Sequence, residues 1–173
     1  SSQVVLLPDG EQAKSLKETE RLYHQLIKYK ADRTTGLIAL GGGVVGDITG
    51  FVAATFMRGV DYIQFPTTLL AMVDSSIGGK TGVNLSEGKN LVGAFHQPKA
   101  VIIDPDLLSS LPKREVVSAS AEILKYGAIL DKSFFQKLAE NLESLVDSQF
   151  LMEAIIRCCE LKGKIISQDE KED

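Results

Sequence analysis

The residues best suited to chemistry lie in the polar stretch from Pro66 to Asn90. Gly78-Gly79-Lys80-Thr81 places a lysine and a hydroxyl after glycines, as a P-loop does to grip phosphates. The position that must carry that motif's first glycine is Asp74, so the P-loop reading fails. What remains is a glycine-framed loop presenting Asp74, Lys80, Lys89 and Asn90, a set able to hold a polyhydroxy acid or a phosphate; the alternative is a solvated, mobile loop. Further upstream, Gly41-Gly42-Gly43-Val44-Val45-Gly46-Asp47 satisfies G-x-G-x-x-G directly after the apolar run Leu37–Leu40. Glycines at such a junction let backbone N–H groups approach a pyrophosphate at a helix N-terminus, where the dipole favours negative charge. The same pattern also makes a tight turn with close helix packing, and both readings stand. The acidic residue about twenty positions on, Asp61, falls at a strand start and suits a ribose poorly, which points to a non-standard nucleotide fold.

Helical spacing after Lys113 sets Glu115, Ser118, Glu122 and Lys125 on one side, with Glu122 and Lys125 neighbours at i, i+3. Taken alone that face reads first as solvated with a weak ion pair, and second as a metal and substrate site. His24 and His96 have no partner at metal-ligand spacing and read as structural or exposed.

These residues need elements to position them. Short apolar runs at Val4–Leu7, Leu37–Leu40, Val60–Phe65 and Ala100–Ile103 read as buried parallel strands. Helices are expected between them over Glu11–Lys30 and Asp47–Met57, which predicts an open α/β sheet. From Asp104 the pattern changes, and Lys113–Leu130, Lys132–Val146 and Gln149–Ser167 read as helices with no strand between them. Twelve of the 15 glycines fall between Gly36 and Gly93, which marks the same change of regime. The expected organisation is an α/β domain over residues 1–110 and the first helices of an all-α domain over residues 111–173.

Composition narrows the partners. With 19 Lys+Arg against 23 Asp+Glu and no long basic run, the chain suits neither nucleic acid nor an anionic membrane surface, and small-molecule chemistry is left. No apolar run is long enough to span a bilayer. Cys158 and Cys159 are adjacent, which fits packing residues in a reducing compartment, so a cytoplasmic location is expected. The chain starts without Met and ends on a charged run, and is expected to be a piece of a longer one.

Three strings carry a resemblance: the run that opens LIALGGGVVGD at Leu37 and closes GGKTGVN at Asn84, then GKNLVGAFHQP at 88–98, and AEILKYG at 121–127. Together they closely resemble the 3-dehydroquinate synthase family, in order from about Pro8 onward. The resemblance implies a Rossmann-like NAD-binding domain with a parallel sheet, followed by a helical domain. It also implies NAD, a divalent metal that is typically zinc or else an ion such as cobalt, a sugar-acid phosphate substrate and a homodimeric full-length enzyme. In that family NAD oxidises an alcohol of 3-deoxy-D-arabino-heptulosonate 7-phosphate, phosphate is eliminated, the hydride returns and the ring closes to 3-dehydroquinate.

Carried over by position, Glu11, Lys14, Gly42, Gly43, Asp47, Thr67 and Thr68 match NAD contacts, and Lys80 and Lys89 match residues of the nicotinamide region. Asp74, Lys80, Asn90 and Lys125 match the substrate region, Arg58 matches an arginine reaching the substrate phosphate from a neighbouring subunit, and Glu122 matches the carboxylate metal ligand. Ala119 stands where the family usually has glycine. The family's two histidine ligands lie in a downstream Gly-His-Thr segment, and no histidine follows His96 here. The expectation is therefore an internal piece of the enzyme, inactive by itself. A related sugar-phosphate cyclase and a non-catalytic nucleotide-binding module are the alternatives.

Overall fold

The computed structural model describes residues 2–141 and 148–169. The chain divides into two compact units: Ser1–Pro66 with Gly79–Ile102, and Thr67–Gly78 with Ile103–Asp173. Residues 67–78, grouped above with the first 110 residues, thus pack with the helical part.

In the first unit, strands β1 (Leu37–Gly41) and β2 (Tyr62–Pro66) are parallel and joined through helix α2 (Gly43–Thr55). A hairpin of β3 (Lys80–Leu85) and β4 (Gly88–Phe95) follows, and the short β5 (Ala100–Val101) completes a three-stranded sheet of order β1-β2-β5. Helix α1 (Leu16–Lys28) begins at Ser15, whose hydroxyl accepts from the Glu18 amide at 3.2 Å. Ile48, Phe51 and Val52 of α2 bury against Leu22 of α1 and Val83 of β3, each worth about 1.5–3 kcal/mol when fully removed from water. Close packing of α2 depends on its glycines. A Cβ on Gly50 would lie 2.4 Å from Thr81 Cγ2, and one on Gly46 would lie 2.5 Å from Gln64 Oε1. The third glycine of the G-x-G-x-x-G pattern therefore serves helix-to-sheet contact.

The second unit has a π-helical turn at Ala71–Ser75, a 3-10 stretch at Pro105–Ser110, and helices α3 (Lys113–Leu130), α4 (Lys132–Glu140) and α5 (Ser148–Gln168). One core joins them, with Leu69, Met72 and Val73 packed among Ile123, Leu138, Ala154 and Cys158. Asp131 caps α4 by accepting from the Phe134 amide at 3.0 Å, and its other oxygen takes Nε of Arg157 from α5 at 2.9 Å. Among the described residues no helix is long and apolar enough to cross a membrane.

Several expectations are corrected. Val4–Leu7 is not a strand: Val5 and Leu7 pack on the core, but the segment makes no ladder, and Val4 and Leu6 are exposed. The helix expected over Glu11–Lys30 is a 3-10 turn at Glu11–Ala13 and then α1, because Ser15 is extended and caps. That boundary is legible as the Ser-x-x-Glu capping pattern at Ser15 and Glu18. Helix α2 opens four residues before Asp47, so its glycines are helical. The supposed loop after Asp74 is mostly the β3–β4 hairpin, turning at Ser86-Glu87. The helix expected over Lys132–Val146 is described to Glu140, and its residues 142–146 lie outside the described residues.

Candidate functional site

The candidate residues fall into two groups, one in each unit. In the first unit the turn after β1 brings Gly42 and Gly43 to the N-terminus of α2, where Gly42 precedes the helix without a side chain. The first amides of any helix lack a carbonyl partner within it, so this end offers donors and positive potential to an anion. Asp47, on the next turn, takes a short contact at 2.5 Å from Lys14 Nζ, whose side chain is only 6% exposed. Lys14 is fixed from the other direction too, because its carbonyl accepts from the Asn84 amide at 2.9 Å.

Asn84, which the motif strings contain without a role, is the organiser of this group. Its Nδ2 donates to Glu11 Oε1 at 2.8 Å, and its Oδ1 accepts from the Asn90 amide at 2.9 Å. The second contact holds Asn90 at φ 58°, a left-handed conformation that asparagine tolerates. Lys89 Nζ lies 3.9 Å from Glu11 Oε1 with both side chains exposed, a pair of little energetic weight. Glu11, Lys14, Asp47, Asn84, Lys89 and Asn90 are thus one connected network. Lys80 stands exposed at the start of β3. Arg58 belongs to neither group. It is exposed, makes no hydrogen bond or ion pair among the described residues, and sits in the run Met57, Arg58, Gly59, all at positive φ. Two consecutive non-glycine residues in that region cost about 1–2 kcal/mol each.

The second unit holds Thr67, Thr68, Asp74, Glu122 and Lys125. Thr68 Oγ1 accepts from the Ala71 amide at 3.3 Å and so starts the turn that carries Asp74. Asp74 Oδ1 accepts from Tyr126 Oη of α3 at 2.8 Å and from Lys162 Nζ of α5 at 2.5 Å. Burial pushes the Asp74 carboxyl up, but the Lys162 hydrogen bond and charge, the Tyr126 bond and the Lys125 charge outweigh it, and the group lies below the usual carboxylate range. Burial first, and then Asp74 itself, raise the Tyr126 phenol. Neither Tyr126 nor Lys162 was singled out from the sequence. Lys162 had a signal, since it lies one helical turn from the fully buried Cys158 and should share its inward face.

Glu122 and Lys125 form an ion pair, as their i, i+3 spacing predicts. Glu122 is not on a solvated face, because its side chain is only 20% exposed. Among the described residues no group of three or more His, Cys, Asp or Glu is placed to hold a metal ion. A catalytic zinc needs three protein ligands, so these residues supply one carboxylate donor and not a complete site. His24 is exposed, and His96 stacks on Tyr62 with centroids 5.5 Å apart while its Nε2 meets the Val60 carbonyl at 3.0 Å, a packing role.

Known proteins show the same arrangement of sequence. Residues 4–118 match the family model described as 3-dehydroquinate synthase N-terminal, and residues 119–173 match 3-dehydroquinate synthase C-terminal. A 3-dehydroquinate synthase from Shewanella halifaxensis (strain HAW-EB4) is 55% identical over 170 residues, 97% of this chain and 47% of the relative. The chain thus spans about half the length of the curated relatives it matches. Among solved structures, a 2-epi-5-epi-valiolone synthase from Streptomyces hygroscopicus subsp. jinggangensis 5008 with NAD+ and Zn2+ bound matches with TM-score 0.90 at 30% identity, over 94% of this chain and 47% of that one. A 2-deoxy-scyllo-inosose synthase complexed with carbaglucose-6-phosphate, NAD+ and Co2+ matches with TM-score 0.65 at 39% identity, over 68% of this chain and 32% of that one. The α/β unit with a parallel sheet and helices is the Rossmann-like fold of these cyclases. Two consecutive family matches run from residue 4 to residue 173, and the chain belongs to the 3-dehydroquinate synthase family.

Proposed function

We propose that the protein carrying this chain is a 3-dehydroquinate synthase of the shikimate pathway, a cytoplasmic homodimer that converts 3-deoxy-D-arabino-heptulosonate 7-phosphate to 3-dehydroquinate and phosphate. The observation that carries this reading is the 55% identity to relatives of that name, against 30% and 39% to cyclases named for other products. Residues 1–110 would form the NAD-binding part and 111–173 the start of the helical part.

The turn at Gly42 and Gly43 fits a pyrophosphate, because α2 opens on a glycine N-cap with no side-chain cap hydrogen bond to its first amides. Lys14, held by Asp47, and Glu11, held by Asn84, would bind the remainder of the dinucleotide together with Thr67, Thr68, Lys80 and Lys89. NAD supplies reversible uptake of a hydride from a secondary alcohol of the substrate. Asp74 is ionised and accepts a substrate hydroxyl, while Lys80, Asn90, Lys125 and Arg58 neutralise or orient carboxylate and phosphate. Glu122 contributes one carboxylate toward a divalent ion such as zinc or cobalt.

The test is phosphate release by the purified protein given NAD and zinc. Release from the heptulosonate phosphate, and none from glucose 6-phosphate, is the expected result. The reverse selectivity would replace this reading with another sugar-phosphate cyclase. The 173-residue chain by itself is expected to bind NAD and release no phosphate.

A further inference from the structure

Asp74 presents an asymmetric carboxylate. Both side-chain donors, Tyr126 Oη at 2.8 Å and Lys162 Nζ at 2.5 Å, converge on Oδ1, and Lys162 also donates to the Asp74 backbone carbonyl at 2.8 Å. Oδ2 has no partner among the described residues, although the side chain is 31% exposed. Tyr126 is 5% exposed, so its hydroxyl is committed to this one acceptor. Its ring also lies 5.5 Å below Lys125 Nζ, and Lys125 is ion-paired with Glu122.

We propose that Tyr126 is a positioning residue for the reaction: its hydroxyl fixes Oδ1 of Asp74 so that Oδ2 is offered to a substrate hydroxyl, and its ring seats the Lys125 ammonium on the same helix. This rests on the function proposed above. Lys162 cannot do the first task alone. It grips the Asp74 backbone and Oδ1 together, which anchors the residue, but an ammonium is a rotationally symmetric donor that leaves the carboxylate plane free to turn. A second donor to the same oxygen, from a different helix, removes that freedom. Pre-organised acceptors bind more tightly because the ordering cost is met on folding.

The variant Tyr126→Phe tests this, since it keeps the ring, the packing and the Lys125 contact and removes one oxygen. In the active protein the KM for the heptulosonate phosphate should rise about tenfold, the loss expected for a hydrogen bond to a charged acceptor. NAD affinity should stay within about twofold. A merely structural role would reduce the active fraction and so lower kcat at constant KM. An unchanged KM overturns the proposal, and so does failure of Tyr126→Phe to fold, which would make the hydroxyl a core requirement. A second measurement uses Asp74→Ala and calorimetry of substrate binding. Adding Tyr126→Phe to that background should change Kd by less than about twofold, and a further several-fold loss would show Tyr126 acting independently of Asp74 and overturn the proposal. If the unaltered protein turns over no heptulosonate phosphate, the proposed function itself fails; if it does and Tyr126→Phe matches it, only the positioning role fails.

Discussion

The substitution Gly50→Ala sets two effects of opposite sign against each other. In an exposed helix the change stabilises by about 1 kcal/mol, since glycine is the poorer helix former. At Gly50 the added Cβ would meet Thr81 Cγ2 at 2.4 Å and the Tyr62 hydroxyl oxygen at 3.0 Å. Neither can withdraw easily. Thr81 is β-branched and donates to the Ala94 carbonyl at 2.7 Å, and Tyr62 is 1% exposed and donates to the His96 carbonyl at 3.0 Å. Overpacking of this kind costs about 3 kcal/mol, so the net is a loss of about 2 kcal/mol. The matched control is Gly163→Ala in α5, where a Cβ meets nothing within 4 Å. That variant should gain about 1 kcal/mol. At about 2–4 °C per kcal/mol for a chain of this size, calorimetry should show Tm lowered by about 4–8 °C for the first and raised by about 2–4 °C for the second. Gly50→Ala should also weaken NAD binding, because α2 must shift to accept the methyl. A Tm for Gly50→Ala at or above that of the parent chain would refute the account of how α2 is seated.

Three further outcomes are expected. Lys14→Met leaves Asp47 without its short contact and should cost about 2 kcal/mol in urea denaturation, less than a fully buried pair because Asp47 keeps 21% exposure; Lys14→Met with Asp47→Asn should recover part of that loss. Asp74 has a lower pKa folded than unfolded, so its contribution to stability is complete above about pH 4 and is lost as pH falls through the folded value; Tm measured between about pH 3 and 6 should fall more steeply for the parent than for Asp74→Asn. Burial pushes the Cys158 thiol up to about 12, so in the native protein at pH 8 its alkylation by iodoacetamide should be on the order of a thousandfold slower than in urea, and equal rates would refute the packing role.

The parts of the fold written in short-range chemistry were legible. Leu37–Leu40 and Val60–Phe65 are apolar runs of strand length bounded by turn formers; the first is β1 short of Gly41, and the second overlaps β2, which starts two residues later at Tyr62 and runs on to Pro66. The hairpin of β3 and β4 was not legible, because Gly82, Gly88 and Gly93 erase the alternation that marks a strand. Two of its glycines allow close backbone approach: a Cβ on Gly82 would lie 2.7 Å from the Val92 carbonyl oxygen, and one on Gly93 2.2 Å from the Thr81 carbonyl oxygen. A strand built for that approach looks like a loop. Val4–Leu7 failed in the opposite way, having the composition of a strand and no neighbouring strand to pair with. In the candidate site, motif strings supplied positions but not partners. Asn84, Tyr126 and Lys162 contact Glu11 and Asp74 across 73, 52 and 88 residues of sequence, and no local pattern encodes a contact at that separation.

Burial sorts the candidate charges into two kinds. Lys14 and Lys162 have side chains only 6% and 14% exposed, and each is spent on a carboxylate, Asp47 and Asp74 respectively. Lys80, Lys89, Lys125 and Arg58 are exposed. A buried cation already paired cannot neutralise an incoming anion without abandoning its carboxylate, which costs several kcal/mol in that setting. The buried lysines therefore act by fixing Asp47 and Asp74 in place, and Lys162 also favours the ionised form of Asp74. The exposed ones, of which Lys89 pairs with Glu11 and Lys125 with Glu122, lie at the surface, where an incoming carboxylate or phosphate can compete for them. It follows that Lys125→Met and Lys162→Met should fail differently. Losing the exposed cation should weaken substrate binding in a salt-dependent manner, with Tm little changed. Losing the buried one should lower Tm, and its effect on binding should persist at high salt, because what is lost is the placement of Asp74. If both variants showed the same salt dependence and the same Tm, the division of labour between buried and exposed lysines would be wrong.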